Sequence, residues 1–233
     1  MLTKMQKPGF KKTARILALP VMLATILAFT VRTENLPSVT LENPVTVVID
    51  AGHGKLENGK FSGARHGELY EDQLNLAISK KIMERNRNQK INIVLTRATD
   101  ENIGLKERVG LSKEKNADLF LSIHTGANPE QAEKNGLEVF VSSKNIPLQK
   151  DCELFGSLLR QELSAVYTTF PGLKKPATGI WVLDQNSCPT ALLELGYITN
   201  EKDRNFISDP QNQDKVADRI LLAIERYFAS KKN

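Results

Sequence analysis

The chain has 233 residues, 40% hydrophobic and 25% charged, which is ordinary for a globular domain. Its 32 basic and 27 acidic residues leave a net charge of +5, but the excess is local: residues 1–40 hold Lys4, Lys7, Lys11, Lys12, Arg15 and Arg32 against Glu34 alone, and the rest is balanced. A charge confined to one end excludes a general polyanion binder, so no nucleic-acid partner is expected, and the roughly 190 residues beyond it suit one domain with one core.

The basic residues precede Ile16–Val31, a run that is uncharged and mostly apolar. As a helix it would span about 24 Å, short of the ~30 Å hydrocarbon core of a bilayer, and Pro20 interrupts it. A basic stretch followed by a short apolar one fits an export signal. Ala28-Phe29-Thr30 is a weak cleavage site, so an uncleaved anchor stays open. Residues 1–32 are therefore expected to be an export signal or an N-terminal membrane anchor. The body is expected to be exported to the periplasm or cell surface, either free or tethered to the membrane. The polar stretch 33–44, with Pro37 and Pro44, reads as a linker.

Beyond it, Val45–Asp50 is a β-branched run leading into Ala51-Gly52-His53-Gly54, a strand entering a tight loop. Leu74, Ala77, Ile78, Ile82 and Met83 recur at helical spacing. Ile91–Thr96 is a second strand, Leu105–Asn116 a helix, Leu119–Ile123 a third strand and Leu137–Val141 a fourth. Leu154, Phe155, Leu158, Leu159, Leu163 and Val166 mark an amphipathic helix. Ile180–Leu183 and Ala191–Leu195 read as two further strands, and Val216, Ile220, Ile224 and Phe228 define a closing helix. Helices alternate with strands that are apolar on both faces. The pattern predicts an α/β fold: a single domain over 45–230 with a largely parallel, open twisted sheet of about six strands, and helices on both faces.

The chain has three histidines, and two of them, His53 and His124, directly follow apolar strands. Ligands in open α/β sheets bind at the carboxyl ends of the strands, so two imidazoles delivered there can converge on one point. Neutral imidazoles suit Zn2+, given a third protein ligand and an open position. A lone histidine at a strand end is more often a hydrogen-bonded structural residue, and spacing alone leaves both alternatives open. Cys152 and Cys188 lack metal-site spacing, and whether they pair is also left open.

The segments VVIDAGHGK, GELYEDQLNLAI, ADLFLSIHTGAN and PTALLELGYITNEKD occur in that order over residues 45 to 207. Together they resemble the type 3 catalytic domain of the zinc-dependent N-acetylmuramoyl-L-alanine amidases, bacterial cell-wall hydrolases. The resemblance implies one Zn2+ ion held by His53, Glu71 and His124, with Glu194 as catalytic acid/base. Glu68 competes with Glu71 by position, but the spacing to Asn75-Leu76 favours Glu71. The implied reaction is hydrolysis of the amide joining the lactyl group of N-acetylmuramic acid to L-alanine in peptidoglycan, for wall remodelling or daughter-cell separation. Alternatives are the same chemistry on free muropeptides, or a non-catalytic peptidoglycan binder. Intact Glu71 and Glu194 argue against the binder.

Other expectations are weaker in content. His66 falls between two implied ligands and could touch substrate, or simply be exposed. Asn128 could orient substrate or cap a turn. Its position is shifted because Thr125-Gly126 is inserted where the family more often has Ala-Asn. Arg97 and Arg108 are expected to brace the sheet through salt bridges, and Trp181 with Ile180 to pack in the core beside the cleft. The short stretch between His124 and Asp151 leaves little room for the helix that covers the zinc in some family members, so an open cleft is expected. No feature suggests oligomerisation, and a monomer is the default expectation.

Overall fold

The computed structural model describes residues 41–231. The stretch 1–32, read as an export signal or anchor, lies outside the described residues, as does most of the linker. Leu41, ahead of the first strand, is already buried against the core. Among the described residues no helix is long and apolar enough to cross a membrane.

In chain order the elements are β1 (Val45–Ala51), the two-residue strands β2 (Arg65–His66) and β3 (Leu69–Tyr70), α1 (Glu71–Arg85), β4 (Ile91–Leu95), α2 (Leu105–Glu114), β5 (Leu119–Gly126) and β6 (Glu138–Phe140). A 3-10 turn (Ile146–Leu148) leads into α3 (Gln149–Leu163), followed by α4 (Trp181–Asp184), β7 (Thr190–Tyr197), α5 (Glu201–Ser208) and α6 (Pro210–Ser230). The main sheet has the order β4-β1-β5-β7-β6. Its first four strands are parallel, and β6 closes one edge antiparallel to β7. β2 and β3 form a separate small hairpin.

Period-two alternation explains the unbroken apolar runs. Val47 and Ile49 of β1, Leu119, Leu121 and Ile123 of β5, and Ala191, Leu193 and Leu195 of β7 face one layer, where Ile78 of α1, Phe155 and Leu159 of α3, and Ile220 and Ile224 of α6 pack on them. The intervening Val48, Phe120 and Leu192 face the other layer and meet Val109 of α2 with Val182 and Leu183 of α4. Because both faces are covered, both sets of positions are mostly apolar, with polar exceptions such as Asp50 and Ser122. The closing helix starts sharply: the Asp209 side chain accepts from the Gln211 and Asn212 amides, with Pro210 at the first helical position.

Two features differ from the sequence expectation. The sheet has five strands rather than about six, because the run Ile180–Leu183 is the one-turn helix α4 and not a strand. Four apolar residues do not distinguish a buried helical turn from a strand. Here Gly179, at φ +78°, turns the chain, and Asp184 accepts a hydrogen bond from Ser142. In consequence Trp181 points outward, 40% exposed, instead of packing in the core. Cys152 and Cys188, whose pairing the sequence left open, are both free thiols. Burial raises the pKa of each, that of Cys188 to about 11. Their sulfurs face Thr190 and Ser112 respectively.

Candidate metal centre and active site

The carboxyl ends of β1, β5 and β7 converge on one opening. His53 lies two residues past β1, His124 sits within β5, and Glu194 lies opposite it on β7. Glu71 opens α1, where a carboxylate also meets the positive end of the helix. Glu71 is buried while Glu68 is exposed, which places Glu71 in the group. Glu71 Oε1 lies 3.2 Å from His53 Nε2 and 3.0 Å from His124 Nδ1. The two rings meet edge to face with centroids 4.9 Å apart.

This donor set fits a zinc ion. One atom from each of the three residues lies within 4.8 Å of the other two. Ligands about 2.1 Å from a tetrahedral ion stand about 3.4 Å from one another, so two of the spacings are already those of a coordination shell. Burial works to raise the Glu71 pKa, but hydrogen bonds to His124 and His53 and their charges outweigh it and hold it well below the usual carboxylate range. For His124, burial alone would lower the pKa; the Glu71 hydrogen bond and the Glu194, Glu71 and Asp50 charges raise it instead. The opening is thus strongly electronegative and suited to a dication.

Hydrogen bonds from several elements hold the trio in place. Glu71 Oε2 accepts from the Ala64 amide at 2.6 Å, and Oε1 also accepts from the Thr125 amide. Thr125 donates to Asn75, which donates to the Gly52 carbonyl. Arg97 and Arg108 both donate to the Ala51 carbonyl at 2.8 Å. Arg97 also donates to Gly52 and Asp72 carbonyls, and Arg108 to that of His53. Of the two expected salt bridges, only Arg108 makes one, to buried Asp50 at 2.6 Å; Arg97 spends its donors on carbonyls. These bonds hold the His53 backbone at φ +61°, a conformation that few residues other than glycine adopt. Thr125 and Ala64 escaped the sequence reading, because a backbone amide leaves no side-chain signature. Asp50 could have been suspected as a carboxylate ending an apolar strand.

Gly52 is sterically required. A Cβ added there would lie 2.4 Å from Cε1 and Nε2 of His124. Gly52→Ala should therefore displace that ring, weaken zinc binding measured by titration calorimetry, and cost about 1–3 kcal/mol of stability.

Glu194 stands apart from the donor trio. Its Oε2 is the one buried side-chain polar atom without a hydrogen-bond partner among the described residues. Such an atom costs folding stability, and a catalytic role is one reason a protein keeps it. Burial, with the Glu71 and Glu138 charges added, overcomes the pull of His124 and Lys134 and pushes its pKa up to about 7. The native state thus holds this proton up to about pH 7, whereas the unfolded chain loses it near 4.5. Stability contributed by the protonated form is present below pH 4.5 and lost as pH rises through 7. Glu194→Gln cannot ionise, so in zinc-free protein it should be more stable than wild type at pH 8 by up to about 3 kcal/mol. The advantage should vanish at pH 4.5, as urea unfolding will show.

The remaining candidates fall outside the trio. His66 is exposed on β2. The Asn128 side chain accepts from the Gln131 amide at 3.1 Å and so caps a turn. The Thr125-Gly126 insertion is absorbed as a register irregularity between β5 and β7. Between β5 and α3 the chain forms only β6 and the 3-10 turn, and the His53 and His124 side chains remain 33% and 20% exposed. A cavity of about 230 Å3 adjoins both rings, lined by Asn102, Ile103, Leu105, Arg108 and Val182.

The chain matches the N-acetylmuramoyl-L-alanine amidase family over residues 47–226. It is 29% identical to the germination-specific N-acetylmuramoyl-L-alanine amidase of Bacillus subtilis (strain 168), across 79% of this chain and 80% of that protein. An uncharacterized Bacillus subtilis protein, YqiI, is 33% identical across 78% of this chain and 84% of its own length. Among solved structures, the catalytic domain of CwlV, an N-acetylmuramoyl-L-alanine amidase from Bacillus (Paenibacillus) polymyxa var. colistinus, superposes with a TM-score of 0.68 at 30% identity, covering 79% of this chain and 98% of that one. An amidase from Clostridium difficile 630 gives 0.71 at 28% identity, covering 81% and 99%. With its matched core, its converging trio and a carboxylate opposite, the chain belongs to the N-acetylmuramoyl-L-alanine amidase family of cell-wall hydrolases.

Proposed function

We propose that this protein is an exported zinc amidase that cuts the bond between the lactyl group of N-acetylmuramic acid and L-alanine in peptidoglycan, in wall remodelling or daughter-cell separation. His53, Glu71 and His124 hold one ion, and Glu194 moves the proton. The observation that carries this assignment is the pairing of a three-donor cluster with an unpartnered buried carboxylate oxygen on the neighbouring strand.

Zinc bound by this set supplies Lewis acidity, lowering the pKa of water and polarising the scissile carbonyl. The protein does the rest. His53 Nε2 and His124 Nδ1 both face one Glu71 oxygen, so these three residues would meet on a single ion. Thr125 and Ala64 fix Glu71 through their amides. Glu194, outside the donor trio, accepts a proton from the attacking water and returns it to the departing amine of L-alanine. A carboxylate whose burial favours its protonated form can take up a proton and hand it on. Export rests on the segregated positive charge ahead of an apolar run, and on a substrate that lies outside the cytoplasm.

The test is direct. The purified protein should release stem peptides with new L-alanine amino termini from purified sacculi. A chelator should stop release and added Zn2+ should restore it. Absence of zinc-dependent release would refute the assignment.

A further inference from the structure

The centre has two unlike flanks. On the His53 and His124 side lies the cavity walled by Ile103, Leu105 and Val182. On the Glu194 side lies a lysine pair set against aromatic rings. Lys134 Nζ is 4.5 Å from the Tyr197 ring centroid and 5.2 Å from that of Phe170, and Lys174 Nζ is 5.8 Å from Phe170. Both ammoniums approach the same oxygen of Glu138, at 3.4 and 3.6 Å. They therefore stand no more than about 7 Å apart, a gap one further carboxylate can bridge.

Three observations make this more than two surface lysines. Glu138 is only 4% exposed and also accepts from the Tyr197 hydroxyl, so one buried carboxylate anchors the pair and neutralises only one of its two charges. The loop carrying Lys134 is fixed: its amide donates to Gln131, and Asn200 donates to the Ala132 carbonyl. Glu138 is paired across the sheet with Glu194 itself. Moreover, a Cβ placed on Gly126 would lie 3.2 Å from Glu194 Oε2 and 3.3 Å from the Tyr197 ring, so base and ring face the same small opening.

We propose that Lys134 and Lys174 form a carboxylate-reading subsite for the peptide half of the substrate, recognising a free carboxylate on the residue that follows L-alanine. The inference rests on the amidase assignment and deepens it. Glu194 must pass its proton to the leaving amine, so the peptide half departs on the Glu194 flank, and the muramyl half is left the cavity on the other. The ammoniums keep donors beyond those given to Glu138, and their aromatic backing holds them in place without neutralising them. Amidation of that carboxylate removes the charge the subsite reads.

The experiment compares two muropeptides that differ only in whether the residue after L-alanine carries a free carboxylate or its amide. Wild type should prefer the free acid by about tenfold or more in kcat/KM, and the preference should shrink as salt is added. Lys134→Met with Lys174→Met should bring the ratio close to one, and Lys134→Arg should keep it. The ratio is insensitive to a general loss of active protein. Should the double variant fail to fold, adding Glu138→Gln removes the buried carboxylate it strands, and the ratio is read there. Equal rates on both substrates in wild type, or an unchanged ratio in the lysine variants, would overturn the subsite while leaving the amidase assignment standing. Hydrolysis of neither substrate, together with no zinc-dependent release from sacculi, would overturn both.

Discussion

Glu194→Ala is expected to retain one zinc per chain and to lose about 10²–10⁴ in kcat, the usual contribution of a positioned acid/base group. The two halves of this result come from different elements. The donors lie on the loop after β1, at the start of α1 and in β5, whereas Glu194 projects from β7. Removing it takes nothing from the trio, whose distances are set by Glu71. It does remove the one buried polar oxygen left without a partner among the described residues. His53→Ala and His124→Ala should behave differently, losing metal and activity together. Metal analysis of the dialysed proteins and single-turnover release from sacculi separate the cases. A Glu194→Ala protein that cleaves within a few-fold of wild type would assign the proton transfer elsewhere, and one that purifies without zinc would place Glu194 among the metal ligands.

The two histidines were legible as strand-end candidates, whereas Glu71 was reached only through the family resemblance of its segment; the fold brings the three side chains together. His53 and His124 end apolar strands, and Glu71 precedes a helical repeat. The layered α/β fold was legible because alternating core faces leave runs such as VTVVID and LFLSI almost wholly apolar. What escaped is what depends on tertiary contact. Ile180–Leu183 has the composition of a strand, and only its packing against α2 makes it a helical turn. Asn128 was left between meeting substrate and capping a turn, and the Gln131 amide on its oxygen shows the cap. The Lys134–Glu138–Lys174 cluster adds Lys174, 36 residues on, to a Lys134–Glu138 pair four residues apart, and nothing in the spacing announces that third member. The arginines were foreseen as braces, but their partners were not. A carbonyl acceptor has no sequence signal, and three consecutive ones are clamped here.

That clamp makes Arg108→Met the variant with the largest expected effect on stability, a loss of about 3–5 kcal/mol. The guanidinium is buried and donates to Asp50 at 2.6 Å and to the Ile103, Ala51 and His53 carbonyls at 2.7–2.9 Å. Methionine fills much of the volume but supplies no donor, leaving a carboxylate in the core with only Thr96 and Ser122 to satisfy it. The cost is thus one of a stranded charge rather than of lost packing. It follows that Arg108→Met with Asp50→Asn should cost less than the sum of the single changes. The effect should also reach the metal. His53 keeps a positive φ under the constraint of the Arg108 bond to its carbonyl, and releasing that bond frees the loop to relax away from Glu71. Zinc binds the folded state, so it should raise the stability of wild type by a larger margin than that of Arg108→Met. Chemical denaturation with and without zinc measures both. Equal zinc stabilisation in the two proteins would mean that the loop is held by Arg97 and Asn75 alone, and that Arg108 serves the core without serving the centre.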